Sequence, residues 1–217
     1  MGTWLSLRPT ILDELLRRDG LQEYLSLRQC ASCLDEQGTY RCIDCTTSTF
    51  YCAPCIVCQH ENTPLHHLEV CPCFLERHFL TFNQVWNGGF FERTSLKDLG
   101  YCFYIGHQHT PCLSSGSTTQ TILVIDVNGV HHLNIQFCTC TEDVQWIAKY
   151  RQLLRVGWYP ASFERPKTAF TFNVLDTFHK IALQEKLNLY DFYSSILQKT
   201  DNCGREKVVV SHAFPRL

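Results

Sequence analysis

Cysteine and histidine are the residues of this sequence whose spacing can do chemistry. Three Cys-x-x-Cys pairs, Cys30 with Cys33, Cys42 with Cys45 and Cys52 with Cys55, fall within 26 positions, and His60 and His66 follow them. A Cys-x-x-Cys turn presents two thiolates to one side of an ion, and tetrahedral zinc takes four such ligands. Four successive pairs therefore complete two zinc sites. With spacers this short, the economical arrangement is a cross-brace in which alternate pairs share an ion. Cys30, Cys33, Cys52 and Cys55 then hold one zinc, and Cys42, Cys45, His60 and His66 the other. Cys58 competes with His60, and His67 with His66, because neighbouring side chains in an irregular loop have the same reach. Buried free thiols do not explain three such pairs in so short a stretch.

A more dispersed set comprises His107, Cys112, Cys138 and Cys140, with His109 as the rival of His107. One predicted strand leads to His107 and another, ending at Phe137, leads to Cys138 and Cys140. If the two strands are neighbours, the four ligands meet at one end of a sheet and hold a third zinc. The expected cofactor content is three Zn2+. Catalysis by these ions needs an open coordination position carrying an activated water. The first two sites are already full with four protein ligands, so no catalytic residues and no small-molecule substrate are expected.

The chemistry of 14 cysteines and 10 histidines depends on compartment. The first thirty residues carry Arg8, Asp13, Glu14, Arg17, Arg18, Asp19, Glu23 and Arg28 at short intervals, which excludes a secretory signal. No apolar run approaches the roughly 20 residues of a membrane span, so no membrane partner is expected. In a reducing compartment closely spaced cysteines read as thiolate ligands rather than disulfides. Apolar residues at 45% and charged residues at 18% of 217 place the chain among globular proteins. A net charge of −2 excludes a global basic field, so any contact with nucleic acid must come from a local patch.

The elements that must position these residues follow from periodicity. Pro9 to Arg18 reads as a short helix with Ile11, Leu12, Leu15 and Leu16 on one face, docked on a core and stopped by Gly20. From Cys30 to His66 the hydrophobic period vanishes, so ligands must organise the chain. Tyr101 to Ile105 and Thr121 to Val127 read as strands, and Asn128-Gly129 turns the second into a hairpin partner bearing Leu133, Ile135 and Phe137. Three helices follow, over Glu142 to Leu154, Phe172 to Lys186 and Leu189 to Gln198, their aromatic stripes read as core. Trp158 to Ala161 and Arg165 to Lys167 read as a non-helical linker. Lys149, Arg151, Arg155, Arg165 and Lys167 surround Trp158 and Tyr159, a mixture able to meet phosphates and bases; Arg151, Arg155, Arg165 and Lys167 are the candidate nucleic-acid residues.

The order of the first eight ligands resembles a B-box zinc finger, whereas a RING domain ends in Cys-x-x-Cys and carries its histidine mid-motif. Over most of its length the chain resembles the CxC-type cysteine-cluster domain associated with fungal KDZ (Kyakuja-Dileera-Zisupton) transposases. The matching stretches include Leu12-Asp13-Glu14-Leu15-Leu16, the cysteine pairs, Pro64-Leu65-His66, Trp86-Asn87-Gly88, Phe91-Glu92-Arg93, Gly106-His107 and Phe137-Cys138-x-Cys140. They continue through Tyr159-Pro160-Ala161, Thr168 to Phe172 and Tyr190-Asp191-Phe192-Tyr193. The resemblance implies a transposon-derived, nuclear protein carrying the accessory module without the RNase H-like catalytic region. Its partners would be transposon DNA or transposase subunits; the other function class is a B-box-like protein-interaction module that ignores DNA.

Val70 to Gln84 interrupts the family pattern and is expected to be a surface excursion whose Cys71 and Cys73 bind no structural metal. The competing reading joins Cys71, Cys73 and His78 in an additional site. The expected fold class is α+β: a helix over 1–26, an irregular cross-brace double-zinc module over 27–69, the insertion at 70–84, a short antiparallel β segment with the third site over 85–140, a helical part over 141–204 and a divergent tail over 205–217.

Overall fold

The computed structural model describes residues 2–19, 29–47, 49–71, 92–105, 119–140 and 148–201. The chain is mixed α and β with two sheets and divides into two compact units, residues 1–95 and 96–217.

The first unit opens with α1, Gly2–Asp19, longer than the helix expected from Pro9. Pro9 sits inside α1, where its missing N–H removes one bond of the helical ladder. The expected burial of the apolar face is not observed, since Leu12 and Leu16 are 53% and 61% exposed. The helix is held instead at its C-terminal end, where the Arg41 guanidinium donates to the Arg18 carbonyl at 3.3 Å, one of the acceptors a helix end leaves unpaired. Three short strands, β1 (Tyr40–Cys42), β2 (Leu68–Val70) and β3 (Glu92–Thr94), form an antiparallel sheet in that order. Arg41 lies opposite Glu69 and pairs with it at 2.9 Å. Between β1 and β2 lies α2, Ala53–Gln59, which the periodicity did not reveal; Pro54 begins it and Ile56 is its buried residue.

Val70, expected to open the insertion, instead closes β2 and is buried between Tyr40 and Glu92. Cys71 is buried as well, donates its N–H to the Thr39 carbonyl, and is disulfide-bonded, which removes its sulfur from any ligand set. The excursion therefore does not begin at Val70. Residues 72–84, with Cys73 and His78, and the tail 205–217 lie outside the described residues.

The second unit is built on a five-stranded sheet in the order β4 (Cys102–Ile105), β6 (Gly129–Phe137), β5 (Thr119–Asp126), β8 (Thr168–Thr171), β7 (Trp158–Pro160). The expected hairpin is present, with Asp126 opposite Gly129 across a two-residue turn. The antiparallel sheet expected here is instead mixed, because β4 runs parallel to β6 and β8 parallel to β5. The expected linker contains the strand β7 and the loop that leads into β8. Pro160 is tolerated because β7 is an edge strand. Flat, the edges β4 and β7 would lie about 19 Å apart at roughly 4.8 Å per strand. Their Phe103 and Trp158 rings are 5.3 Å apart between centroids, so the sheet curls strongly.

Three helices flank this sheet: α3 (Lys149–Arg155), α4 (Phe172–Gln184) and α5 (Leu189–Thr200). Of the expected helix from Glu142, residues 141–147 lie outside the described set, and the helix runs on to Arg155. Thr171 caps α4, accepting from the Val174 N–H at 3.1 Å while donating to the Asp126 carboxylate at 2.5 Å. Asn188 caps α5 through the Asp191 N–H. Ile125, Val130, Val174, Tyr193 and Ile196 join strand and helix residues in one apolar cluster.

Ile135 is wholly buried in the central strand β6, so Ile135→Ala should destabilise the second unit by about 2–5 kcal/mol. Tyr190→Ala, at a site 76% exposed, should shift stability by less than about 0.5 kcal/mol. Denaturant titrations followed by circular dichroism measure both; equal midpoints for the two variants would contradict this core.

Candidate metal centre

In the first unit two groups of ligand-capable side chains converge, Cys30, Cys33, Cys52 and Cys55, and Cys42, Cys45, His60 and His66. In each, the ligand atoms all lie within 4.8 Å of one another. Local structure explains how each pair arrives. The first pair sits on a tight turn in which the Leu34 N–H bonds the Cys30 carbonyl and Leu34 takes a left-handed φ of 62°. Cys52 is the N-cap of α2 and Cys55 lies one turn on, so both point to the same side. Cys42 ends β1 opposite Leu68, which brings it beside the chain entering β2, where His66 lies. His60 is the C-cap of α2. One short helix thus supplies the first group from its N-terminal end and the second from its C-terminal end.

The distances fit a tetrahedral ion. With Zn–S of about 2.3 Å and Zn–N of about 2.0–2.1 Å, a tetrahedron places two sulfurs about 3.8 Å apart and a sulfur and a nitrogen about 3.6 Å apart. Cys33 Sγ and Cys52 Sγ are 3.8 Å apart. His66 Nδ1 is 3.5 Å from both Cys42 Sγ and Cys45 Sγ, and His60 Nε2 is 3.5 Å from Cys45 Sγ. The other ring nitrogen of His60 bonds the Ile56 carbonyl at 2.9 Å, which orients the ring with Nε2 toward the group. These eight side chains could hold two metal ions, and their donor set suits zinc.

Electrostatics at the sulfurs point the same way. Burial raises the Cys30 thiol, but the backbone N–H groups of Cys33, Cys52 and Ser32 outweigh it and lower the pKa to about 6. Burial and the neighbouring Cys45 thiol push Cys42 up to about 12, and burial also drives Cys52 up. The sulfurs therefore differ, Cys30 ionising readily and buried Cys42 and Cys52 resisting it, and a divalent ion among them would favour the thiolate form of all.

The structure separates the competing ligands. Cys58 is exposed on α2 and belongs to neither group. His67 is committed to Asp44, accepted by the carboxylate through both its backbone N–H at 2.7 Å and its ring at 2.9 Å. Burial raises the Asp44 pKa, but these bonds with His67 dominate and hold it at about 2.

Of the dispersed set, His107 and Cys112, and their rival His109, lie outside the described residues. Cys138 and Cys140 are half-buried just beyond β6. β4 and β6 are parallel neighbours with Ile105 opposite Phe137, so the chain leaves both strands at the same end of the sheet. The Cys140 N–H bonds Cys138 Sγ at 3.4 Å, as the Ser32 N–H bonds Cys30 Sγ. Buried Gln152 of α3 fixes Cys138 from both sides, accepting its N–H and donating to its carbonyl at 2.9 Å each. Sequence reasoning missed Gln152, whose polarity gave it no place in an apolar stripe. Among the described residues no ion-ligating group of three or more gathers here. The four candidate nucleic-acid residues, Arg151, Arg155, Arg165 and Lys167, are all exposed.

Comparison with known families gives one match, to the family described as CxC2 like cysteine cluster associated with KDZ transposases, over residues 96–204. That is 109 of 217 residues, and it lies within the second unit. Both four-residue groups, and the resembling stretches before Leu96, lie outside the matched segment. No curated protein and no solved structure matches the chain.

Two outcomes test the metal groups. Cys42→Ala should lower the bound metal by one ion per chain, whereas Cys58→Ala should leave it unchanged, as counted by elemental analysis after gel filtration. Gly38 is the second probe, because a Cβ there would meet the Phe50 carbonyl oxygen at 2.9 Å, beside the strand that delivers Cys52. Gly38→Ala should therefore weaken the four-sulfur group before the mixed one. Cobalt substitution distinguishes them, since their ligand-field bands differ, and equal loss at both would contradict that coupling.

Proposed function

This chain belongs to the CxC2-like cysteine-cluster family associated with KDZ transposases, and we propose that it serves there as a non-catalytic, zinc-bound accessory module that helps engage DNA or a transposase subunit. The observation that carries this reading is the pair of four-ligand groups sharing α2, which supports a B-box-like cross-brace. A catalytic zinc keeps a coordination position open for water, and a group with four protein ligands leaves none. Zinc here is structural and contributes folding energy directly.

A third zinc, held by His107, Cys112, Cys138 and Cys140, completes the proposal. The parallel pairing of β4 with β6 and the N–H···S bond at Cys138 support it. Nuclear localisation follows from the association with DNA transposition; among the described residues no helix is long and apolar enough to cross a membrane. A second reading, an interaction module that contacts other subunits rather than DNA, is favoured by the exposed leucines of α1.

Native mass spectrometry of reduced, zinc-refolded chain should show three zinc ions, and fewer than two would sink the reading. Chelation should abolish the fold of residues 30–66 while part of the helical signal survives. With magnesium or manganese present, the zinc-loaded chain should leave supercoiled plasmid uncut. Cleavage abolished by one carboxylate substitution would establish a nuclease instead.

A further inference from the structure

The second unit carries a groove of about 870 Å3 lined by residues from β5, α3 and the β7–β8 loop. Its size lies in the range of small-ligand sites. Lys149, Arg165 and Lys167 line it, against a single acid, Glu164. Arg151 reaches the Tyr150 ring from the next position of α3, bonding its hydroxyl at 3.1 Å. Arg155, Arg165 and Lys167 form no ion pair among the described residues. Over residues 148–167 five cations face one carboxylate, a local charge of +4 in a chain of net charge −2.

Aromatic rings share this surface. Phe163 is 52% exposed and Tyr159 43%, although each carries a large apolar area. The Phe163 ring stands edge to face with Tyr150 at 5.5 Å and with Tyr159 at 6.1 Å. Two tyrosines therefore brace Phe163 without covering it. The loop that bears it is also fixed: Ser162 Oγ donates to the Arg165 carbonyl at 2.9 Å, and the Leu123 N–H to the Lys167 carbonyl at 2.9 Å. Gln120 ties both walls together, donating to the Pro166 carbonyl at 2.8 Å and accepting from Lys149 Nζ at 2.9 Å.

We propose that this groove binds single-stranded DNA, stacking unpaired bases on Phe163 and its flanking tyrosines while Lys149, Arg165 and Lys167 hold the phosphates. The inference rests on the DNA-engagement reading and narrows it. Stacking on an exposed ring needs a free base face, which a strand offers and an intact duplex buries within its own stack. Non-specific duplex binding is carried by cations along the phosphate backbone and draws little on an exposed, tyrosine-braced ring such as Phe163. An apolar protein partner would leave the unpaired cations desolvated at its rim. The ordered loop loses little freedom on binding, which favours a standing site over one formed by disorder-to-order change.

The test is fluorescence anisotropy of labelled oligodeoxythymidylate, and of a DNA hairpin of equal length, with full-length zinc-loaded chain. The single strand should bind at least about tenfold more tightly than the hairpin, and Phe163→Ala should weaken it by about tenfold or more. Phe163→Trp should restore binding, and unchanged melting of both variants excludes misfolding. Arg165→Ala with Lys167→Ala should reduce the slope of log affinity against log salt by about 1.4, at roughly 0.7 per phosphate. Hairpin binding equal to that of the single strand, or indifference to Phe163→Ala, overturns the proposal and leaves DNA engagement standing. Self-association with no DNA bound overturns both.

Discussion

The first unit depends on eight sulfur and imidazole donors being pressed into two points. Among the described residues the other strong ties are the disulfide at Cys71 and the Arg41–Glu69 ion pair. Its strands are three residues long, and such strands do not stand alone without an apolar face to bury. Among its described residues the buried apolar ones, Phe50, Ile56, Leu68 and Val70 with the cysteines, are few. Burying thiols beside one another is unfavourable for some of their ionised forms: burial first, and the Cys45 thiol after it, raise Cys42. A divalent cation reverses the sign of that term, so the same clustering that opposes the metal-free fold stabilises the loaded one. α2 makes the two points interdependent: Cys52 and Cys55 fix one end of a helix only seven residues long, and His60 hangs from the other.

The second unit is organised by the opposite means. Ile122, Val124, Leu133 and Ile135 interlock along the central hairpin, and α5 packs across its end. Polar groups are used sparingly there. Thr171 closes β8, caps α4 and bonds Asp126 at the end of β5, so one hydroxyl fixes a strand, a helix and their neighbour. Gln152 does the same for α3 and the chain leaving β6, where Cys138 lies. The Cys-x-Cys of this unit is held by a prior hydrophobic fold, whereas the Cys-x-x-Cys pairs of the first unit create theirs.

Legibility in the sequence followed this difference. The convergence of eight ligand-capable side chains in two groups could be read because coordination chemistry dictates residue type and spacing directly, and the hairpin could be read because Asn128-Gly129 and period-2 alternation reinforce one another. α2 escaped notice because its seven residues offer one buried side chain, Ile56, too few to make a period. β8 escaped because Thr168 to Thr171 is only four residues long and its two buried positions, Ala169 and Thr171, are a small residue and a polar one that make no apolar period. The parallel β4–β6 pairing joins residues more than thirty positions apart, a relation no local pattern encodes. The exposed side of α1 misled in the other direction: leucines at helical spacing signal an amphipathic face, not that the face is covered.

Charge distribution separates the tasks of the two kinds of surface. With +4 over residues 148–167 and −2 overall, the remaining residues carry −6, so most of the molecule repels a phosphate backbone. A polyanion can approach closely only where the cations gather, and the field around them imposes orientation as well as attraction. Screening acts within about 8–10 Å at physiological ionic strength, so distant acidic residues do not cancel the patch, while they do suppress binding elsewhere. Weak net charge is therefore no argument against nucleic acid; it argues against indiscriminate coating. The candidate residues were visible in sequence as cations around Trp158 and Tyr159, yet Trp158 is buried against Phe103 and takes no part at the surface. In the proposed site its place falls to Phe163, an apolar ring in a polar loop whose exposure has no value for the core, and whose bracing by two tyrosines and a tied backbone preserves its orientation.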